Sequence, residues 1–179
     1  MRAPLIAAMA SLAAGAAAAQ TPPPAPCSGP EHRQLDFWVG DWDLTFDAGN
    51  GATGRATNRI TAHEFGDCVI TEHFEMAATG YVGGSWSFWD PQTQQWRQTW
   101  VDNQGTPFVL VGGPVEGQPH VFEFRTTEPR GRPDPTLRRM IWQDVTPDSL
   151  TWRWQTQQAD GGWADAWVLH YRRRDAAAD

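Results

Sequence analysis

Residues 35–42 read LDFWVGDW: two tryptophans, a phenylalanine and two aspartates set around one glycine. Such a cluster is either an aromatic binding surface or the plug that closes a fold, and the residues that follow decide between them. WDLTF at 42–46 alternates, placing Trp42, Leu44 and Phe46 on one face in the manner of a half-buried strand. The same period of two recurs in GRATNRIT (54–61), CVITEHFEM (68–76), YVGGSWSFWD (81–90) and WRQTWVD (96–102). It continues in PFVLVGG (107–113), HVFEFRT (120–126), LRRMIWQDV (137–145), LTWRWQTQ (150–157) and WADAWVLHYRRR (163–174). Glycine, proline, asparagine and aspartate punctuate these runs, so the chain predicts about ten short strands. Residues 31–39 alone fit a helix, and only for two turns. Consecutive strands joined by short turns form antiparallel hairpins, which predicts an all-β, up-and-down antiparallel barrel with a short N-terminal helix. Two packed sheets are the alternative arrangement. The 11 tryptophans and 8 phenylalanines supply bulky, strand-compatible side chains for its interior. The longest loops are expected at 47–53 and 127–136, where glycine and proline preclude a strand.

Upstream of this domain the composition changes. Residues 1–19 carry one early arginine (Arg2), an apolar run and Ala17-Ala18-Ala19, the layout of a secretory signal peptide with a small-residue cleavage site. A glycine within the run and the QTPPPAP that follows argue against a transmembrane anchor. Residues 20–30 are rich in proline and alanine and read as an extended tether. The barrel is assigned to 31–174, with 175–179 as a flexible tail. The expected location is the periplasm or the exterior. Two cysteines, Cys27 and Cys68, form an even set in an exported chain and predict a disulfide. Cys27 follows Pro-Ala-Pro and so lacks the surroundings of a lipid-modified cysteine. The net charge is −7 and every positive side chain is arginine, because the chain has no lysine. An acidic chain without a broad basic face is a poor partner for nucleic acid.

Gly40-Asp41-Trp42, set after a short helical turn, resembles the Gly-x-Trp of the lipocalin-like, or calycin, barrels. In those proteins the tryptophan packs across the closed end of the barrel, and an arginine late in the chain covers its ring. The resemblance thus gives Gly40 and Trp42 structural roles. HYRRR offers Arg172, with Arg174 as the other choice, for the covering guanidinium. HRQLDFWVGDWDL, GDCVITEHF and SFWDPQTQQWRQTWVDNQG together resemble an uncharacterised family of exported bacterial lipocalin-like proteins with an FDFWxGxW-type motif. That likeness runs across most of 31–174 and implies a barrel, with no substrate or reaction attached.

Within a barrel, polar residues on the apolar face of a strand are the informative ones. Asn58 shares a face with Ile60, Glu72 with Ile70 and Phe74, and Gln98 with Trp96 and Trp100. Trp152 and Trp154 share another. His120 alternates with Phe122 and Phe124, and Arg138 with Met140 and Trp142. A buried carboxylate must be paired, hydrogen-bonded or protonated. Asn58, Glu72 and Gln98 therefore form either the polar anchor of a ligand site walled by Trp96, Trp100, Trp152 and Trp154, or an internal network that sets strand register.

Other chemistry is weakly marked. No cofactor is expected. His170 is a candidate axial haem ligand, by analogy with ten-stranded haem-binding barrels, but the glycine-rich motif of that group is absent. His63, Glu64, His73 and Glu75 invite a metal, yet zinc needs three or four convergent ligands. No serine-hydrolase elbow, metalloprotease helix or phosphate loop is present. Three functional classes remain: a barrel that binds a small apolar or aromatic-compatible molecule, an isomerase, cyclase or hydrolase acting through Glu72, and a structural module filled by its own tryptophans.

Overall fold

The computed structural model describes residues 25–127 and 136–174, except for the His63 side chain. The expected signal peptide, the start of the tether, most of the 127–136 loop and the tail lie outside the described residues. Two 3₁₀ turns, Pro30–Arg33 and Asp36–Trp38, precede ten strands. These are β1 (Gly40–Asp47), β2 (Thr53–Glu64), β3 (Val69–Met76), β4 (Tyr81–Asp90) and β5 (Gln95–Asp102), then β6 (Phe108–Pro114), β7 (Phe122–Thr126), β8 (Arg138–Gln143), β9 (Ser149–Gln157) and β10 (Trp163–Arg173). All pair antiparallel in chain order, and β10 returns to β1, so the sheet is a closed barrel. Closure pairs every strand on both sides and leaves no open edge. The ten expected strands are the ten observed. The expected long loop at 47–53 is instead a tight connection, since Asp47 pairs directly with Thr53. His120 lies in the turn before β7 and is exposed.

The opening motif closes one end of this barrel. Leu35, Trp38 and Trp42 are buried, and Trp38 meets Trp142 edge-on at 5.1 Å. The Trp42 indole N–H donates to the Trp38 carbonyl at 2.8 Å, locking the turn to the first strand. The guanidinium over Trp42 is that of Arg173, at 4.2 Å from the ring centroid, and not that of Arg172 or Arg174. Strand parity gives the reason: Leu169, Tyr171 and Arg173 share the inward face, where Arg173 pairs with Trp42 in register. Arg172 is exposed on the outer face, and Arg174 binds Asp43 outside the barrel. Arg173 also donates to the carbonyls of Val39 (2.9 Å) and Pro147 (2.8 Å). Gly40 has φ +139°, and a Cβ there would stand 2.1 Å from an Arg173 guanidinium nitrogen. Only glycine permits that backbone and that approach.

Cys27 and Cys68 form a disulfide that ties the chain ahead of the first 3₁₀ turn to the β2–β3 connection. Arg33 reinforces the join by donating to the Asp67 carbonyl at 2.8 Å. On the outer face of β4, β5 and β6, Trp86, Phe88, Val101 and Val109 remain exposed.

Two stability predictions follow from the closed end. Trp42→Ala removes a fully buried indole and its partner for Arg173, and should cost about 3–5 kcal/mol in urea unfolding; unchanged stability would refute the closure role. Reducing the disulfide should lower stability by about 4 kcal/mol in the chain-entropy account of a loop this long, read from the midpoint shift with and without reductant.

Candidate functional site

The closed end of the barrel is packed solid, whereas the other half is not. Trp96, Phe122, Phe124 and Trp142 fill the space above the plug. Toward the opposite end the inward side chains enclose a cavity of about 120 Å³ that opens to solvent. Its wall is a run of aromatic contacts: Trp100 to Phe74 (6.3 Å), Phe74 to Trp167 (5.8 Å), Trp167 to Trp152 (6.1 Å) and Trp154 to Phe108 (5.2 Å). Trp152 and Trp154 lie parallel, 6.2 Å apart, as alternate residues of β9. Gly83, opposite Phe74 and Asp102, makes room for the wall, because a Cβ there would come within 2.2 Å of the Trp100 ring.

Glu72 is the carboxylate of this cavity. Its Oε1 accepts from Asn58 Nδ2 and its Oε2 from Ser85 Oγ, both at 2.7 Å. Asn58 Nδ2 also donates to the Tyr171 hydroxyl at 3.0 Å. Burial pushes the Glu72 carboxyl up to about 7, overcoming the Ser85 and Asn58 hydrogen bonds that favour its ionised form. The residue as a whole keeps partial solvent access, as expected of a group facing an open cavity. Burial, and then the charge of Glu72, hold the Tyr171 phenol above its ordinary range, so it remains protonated. Nearby, Gln98 is buried and donates to Ser87 Oγ at 2.9 Å, while its Oε1 meets no protein donor.

A second carboxylate stands where β5 ends. Asp102 Oδ2 accepts from the Tyr81 hydroxyl (3.0 Å) and the Trp100 indole N–H (3.2 Å). Its Oδ1 accepts from the backbone N–H groups of Gln104 and Thr106, each at 3.0 Å. Burial raises its pKa, but these four donors together outweigh that and hold it below the usual carboxylate range. Asp102 is therefore anionic where Glu72 is poised to titrate.

Of the residues expected at the site, Glu72, Gln98, Trp100, Trp152 and Trp154 line the cavity together. Asn58 stands behind Glu72 as its hydrogen-bond donor. Trp96 does not reach the cavity: it packs at the closed end against Phe122, and its indole N–H donates to Gln34 Oε1 at 3.1 Å. Two residues along β5 are enough to separate plug from wall. His170 is exposed on the outer face of β10, away from the cavity lining. His73 and Glu75 are also exposed. Among the described residues no group of three or more His, Cys, Asp or Glu converges to hold a metal ion.

Sequence reasoning missed Tyr81, Tyr171 and Trp167. Tyr171 was readable from parity, two residues beyond Leu169. Trp167 was not, because β10 carries a bulge between Asp165 and Trp167. The bulge sends Asp165 outward, to Arg153, and Trp167 inward, although strict alternation assigns both the same face.

The model of a family described as a protein of unknown function, DUF1579, matches residues 28–173. The chain belongs to this family. The DUF1579 match thus runs from the residue after Cys27, through the plug, to the arginine that covers Trp42. A search of curated proteins returned no match.

The position of Glu72 has a measurable consequence. The folded chain keeps a proton that the unfolded chain releases above about pH 4.5, so this group's contribution falls as pH rises toward 7 and is constant beyond. Glu72→Gln keeps an acceptor for Asn58 and offers a donor to Ser85 without the charge. Its stability relative to wild type should therefore rise by up to roughly 3 kcal/mol between pH 4.5 and pH 8 in urea titrations. A difference that stays flat across that range would show that Glu72 ionises freely.

Proposed function

We propose that this protein is an exported, lipocalin-like barrel that binds a small molecule in its interior. The aromatic wall holds an apolar or aromatic-compatible body, and Glu72, supported by Asn58 and joined by Gln98, orients a polar end. The observation that carries this reading is the cavity itself: an apolar space, open at one end, with a few convergent polar groups on its wall. A module filled by its own tryptophans would have no such space. An engineered apolar cavity of about 150 Å³ accepts benzene, so a space of this size suits one ring or a comparable branched group. Export is supported by the signal-like residues 1–19 and by the disulfide, which persists in oxidising compartments. No helix among the described residues is long and apolar enough to cross a membrane.

Native mass spectrometry of protein purified from its own host, paired with tryptophan-fluorescence titration against ring-sized probes, tests the reading. A retained small molecule in one-to-one ratio, or saturable quenching, is expected. Trp154→Ala should weaken that binding about tenfold, equivalent to about 1.4 kcal/mol of lost wall contact. Absence of both an adduct and any saturable probe response would overturn the proposal.

A further inference from the structure

The cavity has a sign as well as a shape. Its lining contains the carboxyl of Glu72 and no arginine or histidine. The two hydrogen-bond donors to that carboxyl, Asn58 and Ser85, are neutral, so no cation among the described residues is hydrogen-bonded to it to balance a negative charge there. Buried carboxylates are ordinarily paired with a cation, and an unpaired one carries a large desolvation cost. The buried Gln98 Oε1 is an acceptor on the same wall with no protein donor. The hydrogen-bonding edges of Tyr81 and Trp100 are both spent on Asp102, which adds a second negative charge toward the opening. The rest of the lining is apolar, with Leu110, Met140 and Leu169 set among the indoles of Trp100, Trp152, Trp154 and Trp167, and indole ring faces attract cations.

We propose that the cavity selects an organic cation, a primary or secondary ammonium on a ring-sized apolar body. The inference rests on the ligand-binding reading above and adds the sign of the ligand's charge. The ammonium sits against Glu72 and supplies N–H donors to its carboxylate and to Gln98 Oε1, while the tryptophan faces hold the body. Because Glu72 is half-protonated near neutrality, the cation binds its ionised form and the proton leaves to solvent. The titratable groups sharing the interior do not compete. Tyr171 from β10 and Tyr81 from β4 both stay protonated, and Asp102 from β5 stays ionised. Arg138 shares the inward register of β8 but stands two residues beyond Met140, toward the opening, where it donates to the Thr136 carbonyl at 3.4 Å.

The test compares benzylamine, benzyl alcohol and benzoate, by calorimetry and tryptophan fluorescence on the disulfide-intact protein at pH 6, 7 and 8. At pH 8 benzylamine should bind at least about tenfold more tightly than benzyl alcohol, with benzoate weakest, as one ionic contact in an aromatic site allows. Its affinity should fall about tenfold from pH 8 to pH 6, as the ionised fraction of Glu72 shrinks. At pH 6, titration in two buffers of different protonation enthalpy should show release of close to one proton. Glu72→Gln should abolish both the preference for benzylamine over benzyl alcohol and the pH dependence; if that variant does not fold, the wild-type pH profile and proton release decide. Benzyl alcohol or benzoate binding as tightly as benzylamine would overturn the cation assignment and leave the binding reading intact. No response to any of the three would overturn both.

Discussion

The contact on which the rest of this structure depends is the guanidinium of Arg173 lying over the ring of Trp42. It joins the last strand to the first at the point where the sheet must close, and it does so with the N-terminal turns folded beneath it. The same arginine reaches the Val39 carbonyl on one side and the Pro147 carbonyl on the other, so plug, seam and β8–β9 connection share one side chain. A cation held between an indole face and backbone carbonyls is charge-compensated without a carboxylate. The disulfide adds a covalent limit to how far the plug can leave the barrel. Gly40 is what lets these pieces meet.

Closing one end so densely has a counterpart at the other. The barrel has a fixed circumference of ten strands, and its interior must be filled layer by layer. Near the plug, indoles and phenyl rings interlock edge to face and exclude space. Toward the opposite end, the rings line the wall and leave the axis empty. Glu72 lies at the transition between these regions. Its proton affinity is a direct reading of that position, because low polarity outweighs two good hydrogen bonds. A group held in this way weakens the fold at neutral pH, and such a cost is characteristic of sites shaped for something other than stability.

Much of this was legible in the residues. Period-two alternation located all ten strands, since a closed antiparallel sheet must bury one face of every strand. The same alternation placed Glu72, Gln98, Trp100, Trp152 and Trp154 inward. It failed where the lattice of alternation is broken or where depth matters. The β10 bulge reversed parity between Asp165 and Trp167, and no residue type announced it. Trp96 shares the inward face of Trp100 yet belongs to the closed end, because alternation reports the face of a strand and says nothing of height along it. In HYRRR three adjacent arginines look alike, and only counting by twos from Leu169 singles out Arg173.

By itself, then, the sequence determined ten antiparallel strands, a Cys27–Cys68 link and a set of inward polar residues, because these depend on local period and on the chemistry of single residues. The plug at Trp42 is what the resemblance to lipocalin-like barrels implies, and closure into a barrel rather than two packed sheets is decided by the pairing of β10 with β1. Tertiary structure alone decided which arginine covers the plug, where the interior is solid and where it is open, and that Glu72 meets only neutral donors. Those properties arise from register around a closed ring, where residues far apart in the chain come to one level, and no local pattern along the chain carries that information.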